Sequence, residues 1–548
     1  MRKPNISILL TAYFFYAFLS ENKTTAQSEK AFRFTRFPKD NQLLPRNPAT
    51  NRATYSVEGK IAQSAKINSL VLKLSKNAKP LQNFGRTLTF SNDSAAFTIS
   101  FDLNAELSIY TIELFALNTE GVEVSIKKAD NVVVGDVFIV NGQSNCIGSI
   151  EDVDYSPWMR SYTAQFGWND IRYTQPSRWA PRVAREIIDR KKIPVALFNE
   201  AYGGVRQEYF LKNTPDQRNN NYLTLLRRLD SAEVRQQVRG IWWWQGESDG
   251  WETSPEVFKT QFRQLVSDWQ KDYPMASIVK FQIRFRSCGH SRPDVMEAQR
   301  QLANEMPALD IMSTNAAQSD SCHFTYKNGY DSLGNRFFRL LSAKLYGGSG
   351  VNVRPPDVEA AWFSGKKELN IRFRHVVGDL RIIGNPWADF EIQGSTVKIL
   401  SGVAEGNTLR LTLSSDTTGV QSVSYKSHIS VSEDWITNPL GVGILSFHKV
   451  MVSEKPPLTS LNTEGVLDWS LLPTITDAAL RIRWERKSVA SEKMIFIYNA
   501  LGIKVLEKKI ISDIDESELD VADLAQGYYL VQLVEKGIKR TTKRFLKI

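Results

Sequence analysis

Residues 135–145 read GDVFIVNGQSN, and the reading of this stretch decides the architecture of the whole middle of the chain. Asp136 to Val140 is a short apolar run, the pattern of a strand covered on both faces. Asn141, Gly142, Gln143, Ser144 and Asn145 follow at once, so the chain turns sharply where the strand ends. Downstream the grammar repeats. Helix-period segments over Arg178–Arg190 and Tyr222–Leu229 precede the apolar runs Ile193–Asn199 and Arg239–Trp244. Ser254 then caps a helix with Pro255 in its first position and Phe258, Phe262, Leu265, Val266 and Trp269 along one face. A strand over Ile278–Ile283, a helix over Pro293–Glu305, a strand over Leu309–Ser313 and a helix running toward Leu345 complete the series. Five strands alternating with helices predict an α/β domain over residues 131–349, with a parallel, flavodoxin-like sheet.

On either side the texture is different. Residues 28–130 and 350–455 carry short alternating runs broken by Asn, Gly and Asp-rich turns, which predicts a β-sandwich on each flank. Gly347, Gly348, Gly350, Pro355 and Pro356 mark the second boundary. Residues 456–466 read as a linker, and residues 467–548 as a compact all-β module with a turn near Asn499 to Gly502. At the front, a basic start, the apolar run Ile6–Leu19 and small residues up to Ala26 follow the pattern of a cleaved export signal over residues 1–26. No later run is long and apolar enough for a membrane span.

The net charge of +10 suggests an anionic partner until its location is considered. After Val531, six Lys or Arg stand against Glu535, which accounts for half of the excess. A basic terminal tail is not a groove lined for phosphates, so nucleic acid is not an expected partner. The three cysteines, Cys146, Cys288 and Cys322, allow at most one bridge and one free thiol. Their spacing from His290 and His323 matches no metal-ligand pattern, and neither metal nor cofactor is expected.

Ligands of an open parallel sheet bind at the carboxyl ends of its strands. The segments after the strands carry Ser144; Tyr202-Gly203-Gly204; Gln245-Gly246-Glu247; and Asp320-Ser321-Cys322-His323. Acyl transfer needs a nucleophile, a base, a group that orients the base, and donors for the oxyanion. Ser144 fits the first role, His323 the second and Asp320 the third. The N–H of Ser144, the N–H of Gly203 or Gly204, and the Gln245 amide fit the last. Glu247 is a candidate auxiliary, more suited to bracing the Gln245 loop than to acid chemistry, and His290 is a rival base. Taken singly, each is an ordinary turn, cap or surface residue; their joint position at one sheet edge is what carries the reading. Trp242, Trp243 and Trp244 read as core and cleft-wall residues, with an indole available to stack on a sugar.

GDVFIVNGQSN, AYGGVRQEYF (201–210), RGIWWWQGES (239–248) and the Asp320-x-x-His323 pair together resemble the sialate O-acetylesterase and acetylxylan esterase group of the SGNH hydrolase superfamily. The resemblance covers about residues 135–347. It implies a serine esterase that removes acetyl groups from a carbohydrate through an acyl-enzyme, with Ser144, His323 and Asp320 as triad and Gly204 (or Gly203) and Gln245 in the oxyanion hole. The sequence departs from the group at Gly-Gly-Val-Arg-Gln, where a small hydroxyl residue is expected. The last module resembles the C-terminal sorting domain of type IX secretion cargo from Bacteroidetes, through Tyr498–Gly502, Leu524–Tyr529 and Thr542–Lys547. That implies passage to the outer surface and two partners, an acetylated glycan and the secretion machinery. Two other readings compete: an inactive surface glycan-binding protein, and a lipase-like enzyme for longer acyl chains. Trp362, Trp387 and Trp435 of the 350–455 segment are candidates for sugar binding or for packing.

Overall fold

A computed structural model describes residues 31–548, apart from 119, 150–154, 214–219, 251–252, 287, 289–291, 430, 455–468, 473–474, 485–492, 500–502, 511–515 and 536–537. The export signal and linker expected over 1–26 and 456–466 lie outside the described residues, as do His290 and the turn at 500–502. The chain divides into two compact units, residues 1–456 and 457–548. Mixed sheets dominate, and the longer helices are confined to the middle of the first unit.

The central sheet is built on β1, Glu123–Gly142. Around it lie β2 (Met159–Thr163), β3 (Val195–Asn199), β4 (Val238–Trp244), β5 (Ser277–Gln282) and β6 (Leu309–Ser313). The parallel part of the sheet runs β2-β3-β1-β4-β5-β6, and the short strand Gly167–Asn169 pairs antiparallel with β2 on its outer side. Helices α1 (Trp179–Lys191), α2 (Asn221–Ser231), α3 (Pro255–Asp272), α4 (Pro293–Glu305) and α5 (Ser332–Leu345) connect or follow the strands. Ser254 caps α3 by accepting from the Val257 N–H, and Asn220 caps α2 by accepting from the Leu223 N–H; each satisfies one of the donors a helix start leaves free.

Both faces of the sheet are covered, which is why its strands read as unbroken apolar runs. Val137, Ile139, Ile241 and Trp243 join α2, α3 and α4 in one core. Phe138, Val140, Trp242 and Trp244 join α1 and α5 in the other. All three tryptophans are fully buried. None of them faces a cleft, so sugar stacking by this run is ruled out.

Two features were not visible in the sequence. β1 is a single 20-residue strand: its first half pairs antiparallel with Tyr110–Asn118 and its second half enters the parallel sheet, so the boundary expected at 130–131 falls inside one strand. β2 lies in a stretch without a clear pattern and extends the parallel sheet beyond β3.

The N-terminal part sets a sheet of Phe32–Arg36, Arg52–Ala62 and Ser94–Asn104 against one containing Ile67–Lys76, Lys79–Thr87 and Tyr110–Asn118. The two share a core in which Tyr55, Phe97 and Phe101 meet Leu70, Leu72 and Leu114. After α5, a seven-stranded sheet closes over Leu369, Ile371, Leu411 and Phe447. The second unit holds a three-stranded and a five-stranded sheet over Leu480, Ile482, Ile497, Val531 and Phe545. No helix among the described residues is long and apolar enough to cross a membrane.

Candidate active site

β1 ends at Gly142, whose φ of 138° few other residues adopt. A Cβ there would collide with the Trp244 carbonyl, so only glycine lets the two strand ends come this close. The Gln143 N–H donates to the same carbonyl at 2.9 Å. The chain then makes one 3-10 turn, Ser144–Cys146, in which Ser144 is half-buried while Asn145 and Cys146 are buried.

The two amides beside Ser144 tie this turn to the loops around it. Gln143 Oε1 accepts from the Gly246 N–H at 3.2 Å and the Ser248 N–H at 3.4 Å. Asn145 Nδ2 donates to Glu247 Oε1 at 2.9 Å and to the Cys322 carbonyl at 3.4 Å, and Asn145 Oδ1 accepts from the Tyr330 hydroxyl at 2.9 Å. The turns that carry Ser144, Gln245 and His323 are thus joined through one side chain. Glu247 also accepts from Trp244 Nε1 at 2.9 Å. Burial holds its carboxyl above the usual carboxylate range, against the pull of the Asn145 and Trp244 donors.

Gln245 is fully buried, and its Nε2 donates to Asp249 Oδ2 and, at 3.4 Å, to the Val205 carbonyl. Asp249 also accepts from the Gln207 N–H at 3.0 Å and Thr253 Oγ1 at 3.1 Å, and burial pushes its carboxyl up. Val205 follows Gly203 and Gly204, so these bonds fasten the Gly-Gly loop to the Gln245 loop. The Tyr202 N–H donates to the Gly142 carbonyl at 2.9 Å and brings the same loop beside the Ser144 turn. Gly203 and Gly204 are exposed, Gly204 at φ 71° with open space where a Cβ would stand.

Asp320 and His323 share one exposed turn, closed by the Asp320 N–H donating to the His323 carbonyl at 3.3 Å. A Cys288–Cys322 disulfide anchors the residue before His323, and Cys146 is the free, buried thiol. Among the described residues, the Ser144 hydroxyl, His323 ring and Asp320 carboxylate make no mutual hydrogen bond. Catalytic hydrogen bonds are often long without substrate and tighten when it binds. Among the described residues no cluster of His, Cys, Asp and Glu is arranged to hold a metal.

Several residues that shape the site had no assigned role in the sequence. Gln143 and Asn145 lie within the GQSN motif, where two amides flanking a serine hint at bracing. Asp249, Tyr330 and Arg284 give no local signal. Arg284, just past β5, donates to Ala317 O at 2.7 Å, to Ser319 Oγ at 2.9 Å and to Thr314 O. Of the other tryptophans, Trp435 is buried, Trp387 packs against the core of the seven-stranded sheet, and Trp362 lies under the Arg372 guanidinium at 5.4 Å.

The Ser144 turn, the Gly203–Gly204 loop, the Gln245 loop and the Asp320–His323 turn gather at one edge of the sheet. Residues 134–342 match the family described as carbohydrate esterase, sialic acid-specific acetylesterase, and residues 473–547 match the secretion system C-terminal sorting domain. The protein is a carbohydrate acetylesterase whose catalytic domain belongs to that family, and its terminal module is a type IX sorting domain. Export follows, with release or attachment at the cell surface. Among solved structures, a carbohydrate acetylesterase from Xanthomonas citri aligns at 15% identity and a TM-score of 0.54, over 75% of this chain and 97% of its own. A protein from Arabidopsis thaliana aligns at 16% identity and a TM-score of 0.34, over 38% of this chain and 99% of its own. At such identities the Xanthomonas likeness is one of fold. No curated protein matches by sequence.

Proposed function

We propose that Ser144 attacks the acetyl carbonyl of an O-acetylated glycan while His323 takes the hydroxyl proton and Asp320 holds the imidazole. The oxyanion is met by the Ser144 N–H, the N–H of Gly204 or Gly203, and Gln245 Nε2. Asp249 orients the Gln245 amide, and the 3.4 Å contact to Val205 O is the weak one that substrate displaces. His323 then returns its proton to the sugar oxygen as it leaves, and water releases acetate from the acyl-serine by the same route in reverse. Glu247 acts as a brace, not as an acid. The observation that carries this reading is the Asn145 side chain, which bonds both the Glu247 loop and the carbonyl next to His323.

We read the strand order as flavodoxin-like, the paired sheets over 28–130 and 350–455 as β-sandwiches flanking the 131–349 esterase domain, and residues 467–548 as the sorting module of a Bacteroidetes protein. Acetylated sialic acids and acetylated xylans are the leading substrates. Acetate release from both, and from 4-nitrophenyl acetate, tests the reading with wild type and Ser144→Ala. The mutant is expected to lose several orders of magnitude in turnover. A folded wild type that releases no acetate from any of them would favour a glycan-binding role instead.

A further inference from the structure

The Asp320–His323 turn is the tip of a small hairpin. Ser319 and Phe324 pair across its base in an antiparallel bridge. Arg284 reaches both sides of that base. Its Nη1 donates to Ser319 Oγ at 2.9 Å and to Ala317 O at 2.7 Å, and its Nη2 donates to Thr314 O, so the segment leading into the turn is held at three points. Its guanidinium carbon lies 4.8 Å from the ring centre of Phe324, the residue after His323. It also lies 5.2 Å from the ring centre of Trp435, which belongs to the sheet domain after α5.

The surroundings make this grip stiff. Arg284 is buried, so its bonds face little competition from water. Trp435 is itself buried and stacks on the His428 ring, with centres 4.1 Å apart and planes 14° apart, and His428 Nδ1 is paired with Asp389 Oδ2 at 2.7 Å. The same sheet domain is fastened to the strand ends on which the turn depends. Gln282, at the end of β5, exchanges two 2.8 Å bonds with the Ser446 backbone. Ser313 and Asn315 donate to Ile444 O at 2.9 and 2.7 Å.

We propose that Arg284 is a positioning residue that sets the Asp320–His323 turn against Ser144, with Trp435 of the following sheet domain as its cover. That domain is then a working part of the esterase, and this inference rests on the roles given above to Asp320 and His323. A planar fork fits the task because it reaches three acceptors in fixed directions, whereas a lysine ammonium satisfies fewer of them and holds none of them in plane.

The test uses the full chain, with 4-nitrophenyl acetate and an acetylated glycan, and counts active sites by burst titration so that misfolded protein does not enter the rate. Arg284→Met should lower kcat by about 100-fold with KM within about twofold, the signature of a displaced catalytic group. Arg284→Lys should recover about a tenth of the wild-type kcat. Ser319→Ala and Trp435→Leu, which each remove one side of the grip, should lower kcat several-fold at unchanged KM. A merely structural role would reduce the count of active sites and leave kcat per site alone, and that result overturns the proposal. Should Arg284→Met fail to fold, wild-type kcat per site in both Ser319→Ala and Trp435→Leu overturns it equally. An inactive wild type would instead sink the esterase assignment, so the two failures are distinguishable.

Discussion

Lys280 is the residue whose replacement tests the energetics of this fold most directly. It sits on β5, fully buried, with no hydrogen-bond partner for its Nζ among the described residues; the Nζ lies 4.2 Å from the ring centre of Phe262 and 5.2 Å from that of Phe258. Burial lowers its pKa from 10.5 to about 7, against the opposing field of Asp249 and Glu247. The folded state therefore binds this proton less tightly than the unfolded chain does. Between about pH 7 and pH 10.5 the unfolded state carries the extra proton, so wild-type stability rises with pH across that window. Each pH unit there is worth about 1.4 kcal/mol. Lys280→Met keeps the length and the packing of the side chain and removes the ammonium. The variant should be the more stable protein at neutral pH, and its advantage should shrink by about 2 kcal/mol between pH 7.5 and 9. Urea unfolding followed by tryptophan fluorescence measures this, because Trp243 lies opposite Lys280 on the neighbouring strand. Parallel stability curves for the two proteins across that range would refute the reasoning.

Three further outcomes follow from the site. Glu247→Gln keeps an oxygen for both Asn145 Nδ2 and Trp244 Nε1 and should retain activity within about threefold, whereas Glu247→Leu leaves the buried Trp244 Nε1 unpaired and Asn145 Nδ2 with only its long bond to the Cys322 carbonyl, and should cost about 1–3 kcal/mol or more, read by thermal unfolding. Gly142→Ala forces a Cβ onto the Trp244 carbonyl at a positive φ and should cost on the order of 3 kcal/mol, with loss of esterase activity in whatever soluble protein remains. Cys288→Ser, or reduction of the Cys288–Cys322 bridge, should lower kcat by freeing the His323 turn. Native Cys146 should stay unreactive toward thiol reagents because it is buried and burial pushes its thiol up; acetate release and thiol counting check the two halves.

What the sequence alone determined is local. The Ser254-Pro255 start of α3 and the apolar stripe behind it follow from the donors a helix start exposes and from a 3.6-residue period. The runs Asp136–Val140 and Arg239–Trp244 announce doubly covered strands, because only a sheet with helices on both faces buries every residue. The motifs at Ser144, Gln245 and His323 stood out for the same reason: strand ends in such a sheet converge, so polar residues just past them share one edge.

Tertiary structure decided what depends on distant partners. Nothing in the run 123–142 signals that one strand pairs antiparallel in its first half and parallel in its second, because the switch is set by what pairs alongside it. β2 joins the sheet through a nonlocal pairing with β3, so its pattern stays weak. Whether Trp242 to Trp244 faced a cleft or the core depended on α1, α3 and α5 closing over them. The partner of Cys322, the threefold grip of Arg284 and the buried amine of Lys280 likewise exist only once segments tens to hundreds of residues apart are brought together. Side-chain hydrogen bonds and desolvation act over a few ångströms in space, and sequence separation does not encode that distance.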